Sequence, residues 1–219
     1  MSILNRFFLL ITMLVTFSIS VSAQKEVTKF LGIPVDGTKS EMIQKLKQKG
    51  FVSSSFDKDV LEGEFNGKNV NIRVATNNNK VYRIMVIDRD LISETEIKIR
   101  FNKLCQQFSK NKKYIQASQL ESYELSDDED ISYNMAVKNK RYEATYCQLP
   151  ENLESFLLSK YTTDQLLNPS EEMITNISNF LKENSQSRVV WFMICEFEAN
   201  YCIAMFYDNE CNKTDGEDL

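Results

Sequence analysis

The sequence contains no histidine in 219 residues. That single absence removes Ser-His-Asp and Cys-His catalysis, imidazole-ligated zinc and imidazole pH switching. Five cysteines are present, but none forms a C-x-x-C pair, so neither a thioredoxin-type site nor a zinc knuckle is indicated. There is no basic excess either: 26 Lys and Arg stand against 31 Asp and Glu, a net charge of −5. A mildly acidic chain without a basic stripe argues against nucleic acid and anionic lipid as partners. No apolar run reaches the roughly 20 residues that span a bilayer. Carboxylate pairs, lysine, tyrosine or a lone thiolate are what remains for catalysis. No cofactor or metal site is expected.

The longest apolar run, Phe7 to Phe17, follows Arg6 and precedes the small residues Val21-Ser22-Ala23. Charge, short apolar core and small side chains are the order of a secretory signal peptide. Residues 1–23 are therefore expected to be removed between Ala23 and Gln24, giving a periplasmic or secreted protein with no stable membrane anchor. Loss of Arg6 leaves 25 basic and 31 acidic residues, a net charge of −6. The remaining length permits one α+β domain over residues 24–208, with an acidic tail over 209–219.

Helix signals are explicit. Thr38-Lys-Ser-Glu41 reads as a capping box, Met42, Ile43 and Leu46 as a buried stripe, and Gly50 as the left-handed stop with Phe51 folded back on Leu46. Gly32 and Gly37 have the separation of a phosphate-binding loop, but Thr38-Lys39 reverses the required Lys-Ser/Thr order, so this stretch reads as a helix start. Ser93-Glu-Thr-Glu96 repeats the box before Ile97, Phe101, Leu104, Cys105 and Phe108. A segment from Glu151 to Tyr161 packs through Leu153, Phe156 and Leu157. Asn168-Pro169 is expected to open a last helix whose stripe is Met173, Ile174, Ile177, Phe180 and Leu181.

Between the helices the apolar period is two. Val60 to Phe65 and Lys68 to Ala75 flank Asn66-Gly67, a hairpin turn that sets Leu61 opposite Ile72 and Gly63 opposite Val70. Lys80 to Asp88 adds a third strand. Ile131 to Lys138 and Arg141 to Gln148 are expected to form a second hairpin around Asn139-Lys140. The last hairpin joins Arg188–Phe197 to Tyr201–Tyr207. Antiparallel hairpins separated by helices specify an α+β class. Two related halves, residues 24–115 and 116–208, are suggested by Ser40-Glu-Met-Ile and Ser170-Glu-Glu-Met-Ile.

The hairpin Val189–Tyr207 is apolar on both faces. It is expected at the covered centre of the sheet; the alternative is a second face that meets a protein partner or another copy of the chain. Trp191 is the candidate contact residue there. Cys195 and Cys202 flank its turn. A Glu198-Ala199 turn sets them directly opposite, close enough to be a candidate disulfide. An Ala199-Asn200 turn makes them diagonal, and asparagine's tolerance of positive φ favours this second register.

Asp127, Asp128, Glu129 and Asp130 form the densest acidic cluster, a candidate for calcium or a glycosidase carboxylate pair. Consecutive carboxylates in a turn cannot stand across a cleft, so a solvated turn is the simpler expectation. The tail from Asp208 places Lys213 at the sixth position of a calcium loop, where glycine is needed, and fails that motif. The sequons at Asn176 and Asn212 are too short to carry weight.

Four stretches, "FLGIPVDGTKSEMIQKLKQKGF", "DEDISYNMAVKNKRYEATY", "SFLLSKYTTDQLLNPSEE" and "MFYDNECNKTDGEDL", together resemble a group of exported proteins of Gram-negative gut bacteria. The resemblance implies an exported α+β protein and no particular activity. The order of helix and antiparallel strands is similar to the tandem halves of beta-lactamase inhibitory protein, in architecture alone. The sequence thus points to a non-enzymatic binding or interaction module. A secreted carboxylate-dependent glycan hydrolase and an inhibitor of a secreted enzyme stand as alternatives.

Overall fold

The computed structural model describes residues 26–118, 122–185 and 187–213. The expected cleavage site at Ala23 and Gln24, and the acidic residues beyond Lys213, lie outside them. A small hairpin, β1 (Lys29–Phe30) with β2 (Ile33–Pro34), precedes helix α1 (Lys39–Gln48). Strands β3 (Val52–Ser53), β4 (Val60–Phe65), β5 (Lys68–Asn77) and β6 (Lys80–Asp88) follow, then the long helix α2 (Glu94–Lys110) and β7 (Tyr114–Gln116). Next come α3 (Ile131–Lys138) and β8 (Glu143–Gln148). Helices α4 (Leu153–Lys160), α5 (Thr163–Leu167) and α6 (Glu171–Ser185) lead into β9 (Arg188–Phe197) and β10 (Asn200–Asn209).

The fold is α+β. Eight strands form one antiparallel sheet in the order β3-β4-β5-β6-β10-β9-β8-β7. The expected Asn66-Gly67 turn has both residues at positive φ, 51° and 70°, and gives the expected register, Leu61 opposite Ile72 and Gly63 opposite Val70. One sheet runs through both spans considered as halves, and the 115/116 boundary falls inside β7. Among the described residues no helix is long and apolar enough to cross a membrane.

Both capping boxes close as the sequence dictates. At the end of α1, Gly50 (φ 99°) and Phe51 return their amides to Lys47 and Leu46, the Schellman arrangement. Phe51 then lies against Gly63: a Cβ there would meet the Phe51 ring at 2.5 Å, so this strand position admits only glycine without repacking. Helices α1 and α2 cover one face of the sheet. Beneath them, Ile97, Phe101, Leu104 and Phe108 of α2 meet Val190, Phe192 and Ile194 of β9.

Three expectations are corrected. Residues 131–138 form a helix rather than a strand. Asp130 caps Tyr133, Glu94 accepts the Ile131 amide at 2.8 Å, and Asn139 at φ 53° ends the helix instead of turning a hairpin. The alternating Tyr133 and Val137 are exposed, while Ile131 and Met135, four apart, face the core. The last helix is capped by Ser170, whose hydroxyl accepts from Met173, and not by Asn168; Ile174 of its expected stripe is exposed. The acidic tail expected from residue 209 is, over 209–213, part of the folded body: Asn209 is buried, and Asn212 donates to Asp36 and to the Val81 carbonyl.

β10 lies at the centre of the sheet, where the apolar hairpin was expected, and is buried on both faces. β9 alternates buried with half-buried residues.

Candidate functional site

The acidic cluster is absorbed by structure. Asp130 is a helix cap. The carbonyls of Asp127 and Glu129 accept from Lys98, and Asp128 is held below the usual carboxylate range, chiefly by Ser126. The Glu129 carboxylate accepts from Asn134 (2.8 Å), Lys140 (2.6 Å) and the Tyr142 hydroxyl. Among the described residues, no group of three acidic or cysteine side chains converges to hold a metal ion.

Glu129 is held below the usual glutamate range by the hydrogen bonds from Lys140 and Tyr142, against the effect of burial. A depressed folded pKa contributes stability above the unfolded value and loses it as pH falls through the folded one. Glu129→Gln should therefore cost about 1 kcal/mol at neutral pH, a gap that closes as pH falls below the ordinary glutamate range. Urea melts at two pH values check this, and an undiminished gap in acid would refute it.

Trp191 is likewise committed internally. Its ring stacks on Phe206 with centroids 4.0 Å apart, Arg83 lies over it at 5.5 Å, and its indole N–H donates to Asp208 at 3.0 Å. Arg83 in turn donates twice to Asp208, each at 2.6 Å.

The cysteine hairpin takes the register the sequence disfavours. Its turn is Glu198-Ala199, at φ 49° and 59°, so Cys195 and Cys202 face each other. Asn200 acts from the strand, donating to the Glu198 carbonyl at 3.1 Å, and supplies no positive φ. Both cysteines carry free thiols in this structure. Tyr201 exchanges its backbone bonds with Ile92, which turns the Cys202 backbone toward β9. A pair bonded in this way holds its Cα atoms about 5.5 Å apart, the wider of the two antiparallel spacings. The facing Cys202 thiol draws Cys195 down to about 7, against burial, while Cys202 itself is pushed up. Alkylation of Cys195 should accordingly reach half its limiting rate at a lower pH than an ordinary thiol requires, and Cys202→Ala should move that midpoint upward. An unchanged midpoint would refute the coupling.

The structure assembles a different site, one that sequence reasoning missed. A cleft of about 820 Å³ opens where the β1–β2 hairpin faces the α2–β7 loop and the start of α4. Its walls include Arg188, Tyr114, Gln148 and Tyr207 from the sheet. A second hollow of about 300 Å³, toward Leu104, Phe108 and Met205, shares Phe65, Asn111, Tyr114 and Tyr207 with it.

Arg188 is the unusual member. It heads β9, is 1% exposed, and donates through Nη1 to Glu26 at 2.6 Å. Nη2 reaches Gln148 only at 3.4 Å, and Nε has no hydrogen-bond partner among the described residues. Gln148 is occupied elsewhere: it accepts from the Lys29 amide at 2.8 Å and donates to the Lys29 carbonyl at 3.0 Å, fastening β1 to β8. Its amide nitrogen also lies 3.2 Å from the Tyr114 hydroxyl. Burial lowers the pKa of Arg188, opposed by Glu26 and Glu151, yet a guanidinium keeps its charge in a protein. Burial raises that of Tyr114. Lys29, Lys112, Lys113 and Arg188 line the cleft against Glu151 and Glu154, an excess of positive charge in an acidic chain. The available sequence signal was an arginine placed directly before the uninterrupted apolar run Val189–Cys195.

Comparison with known proteins finds no family model that matches the chain, and no curated relative or solved structure similar to it.

Proposed function

We propose that the protein is an exported, non-enzymatic binding module that takes its ligand in the cleft between the β1–β2 hairpin and the end of α2. Export rests on the leader pattern of residues 1–23, with delivery to the periplasm or the medium after cleavage between Ala23 and Gln24. The cleft reading rests on one observation: a buried guanidinium in its wall has an N–H without a hydrogen-bond acceptor among the described residues. Buried polar groups are nearly always paired, and an exception at a concave surface marks a place for a ligand. The cleft volume lies in the range of small-molecule sites.

The hydrolase alternative finds no support in the electrostatics. Every described carboxyl with a displaced pKa, such as Glu94, Glu129 and Glu151, is displaced downward, whereas a glycosidase acid must be held neutral. Partner binding or self-association through the Val189–Tyr207 hairpin has less behind it, because Trp191 is already stacked and hydrogen-bonded within the chain.

Two measurements test the proposal. Protein recovered from the envelope or medium should begin at Gln24; retention in the cytoplasm with the leader intact would refute export. Native mass spectrometry after exposure to a small-molecule extract should show a bound species. Lys112→Trp, which fills the mouth from an exposed loop, should abolish it. Equal capture by that variant would remove the cleft from the reading.

A further inference from the structure

The cleft chemistry specifies its ligand more closely, and this step rests on the cleft reading above. In a guanidinium, Nε and Nη2 form one edge with two parallel N–H groups, the edge that receives a carboxylate side-on. In Arg188 the other nitrogen, Nη1, is committed to Glu26. Among the described residues the Nε–Nη2 edge holds only the 3.4 Å contact to Gln148, whose oxygen is already engaged by the Lys29 amide. The edge is thus the part of the cation with unused bonding capacity. Lys112 and Lys113 line the same cleft, and neither is in a salt bridge within the described residues.

Beyond the charged end the surface changes character. Tyr114, Phe65 and Tyr207 lead from the cleft into the second hollow, where Leu104, Phe108 and Met205 supply apolar walls. One end therefore offers fixed positive charge and the other apolar and aromatic surface.

We propose that the site binds a small carboxylate carrying an apolar body, its carboxyl group on the Nε–Nη2 edge of Arg188 in place of the weak Gln148 contact, and its apolar part across Tyr114 and Tyr207 toward Phe108. A carboxylate of this kind can come from an alkyl acid or from an aromatic amino-acid derivative, and the shared chemistry is what the geometry recognises.

Calorimetric titration of the mature chain with octanoate and octanamide, and with N-acetylphenylalanine and its amide, tests the proposal. The acid of at least one pair should bind about tenfold or more tighter than its amide, because only the acid offers charged acceptors; which pair does so identifies the source. Arg188→Lys keeps the charge but removes the two-pronged edge, and should reduce acid binding about tenfold while leaving amide binding unchanged. Should that variant fail to fold, Lys112→Gln with Lys113→Gln on the exposed loop should weaken the acid severalfold and flatten its salt dependence. Equal affinity for acid and amide, no binding by either acid, or indifference to these substitutions would overturn the carboxylate assignment. Those outcomes leave the cleft itself standing, since it falls only if Lys112→Trp still captures the extracted species.

Discussion

Phe192→Ala is expected to lower the unfolding free energy by about 3–5 kcal/mol. The side chain is fully buried on β9, directly opposite Ala144 of β8 and Met205 of β10. Its ring meets Phe101 edge-on at 5.1 Å and lies near-parallel to Phe108 and Tyr146, at 5.7 and 6.2 Å. These neighbours belong to α2 and β8, so no single element can move inward to refill the space. Alanine would therefore leave a cavity, and cavities that cannot collapse give the costlier large-to-small substitutions. For a protein with about 5–15 kcal/mol in hand, that is a large share. Urea unfolding should show a lower midpoint at an unchanged slope. A loss below about 1 kcal/mol would mean that the ring cluster does not organise the core.

Asp208→Ala should be the next most damaging change, by about 3 kcal/mol. The carboxylate is 2% exposed and accepts both guanidinium bonds of Arg83 and the indole N–H of Trp191. Removing it strands a cation beside the stacked Trp191 and Phe206 rings and leaves a half-buried indole N–H unpaired. Arg83 retains 20% exposure, so water recovers part of the cost, which sets the expectation at the lower end of the range for broken buried pairs. At this size the melting temperature should fall by roughly 6–12 °C. Replacing both partners, Arg83→Met with Asp208→Leu, should recover most of the loss, because the penalty lies in the unpaired charge. If the double variant is no better than the single one, the charge argument fails.

The parts of this fold legible in the sequence are those that local chemistry decides. The Thr38/Glu41 and Ser93/Glu96 boxes, the Gly50 stop and the Asn66-Gly67 turn each depend on residues within one turn of chain, and each is found where its residues place it. The errors arise where a distant group casts the deciding vote. Ile131 to Lys138 alternates like a strand, but Glu94, far away in sequence, accepts its first amide and the Ser132 hydroxyl and makes it a helix. The Cys195/Cys202 register was judged from asparagine's preference for positive φ, whereas Asn200 is more useful as a donor to the turn than as part of it. The cleft was illegible for the same reason. Arg188, Gln148, Tyr114 and Lys29 share no motif, and only the sheet order brings β7, β8 and β9 beside the N-terminal hairpin.

The position of β10 bears on how the molecule must be made. It is the last strand in the chain order, yet it is inserted between β6 and β9, paired along its length to β9 and over Ala204–Asp208 to β6. Until it arrives, β3–β6 and β7–β9 are separate sheets, each presenting an unpaired edge of the kind that recruits other chains. Joining them requires closing the long loop from β6 to β10, an entropic cost met only when the final strand docks. Completion of the sheet is thus a late, long-range event, and such topologies fold slowly. The interval before that docking is when this chain is most exposed to misassembly.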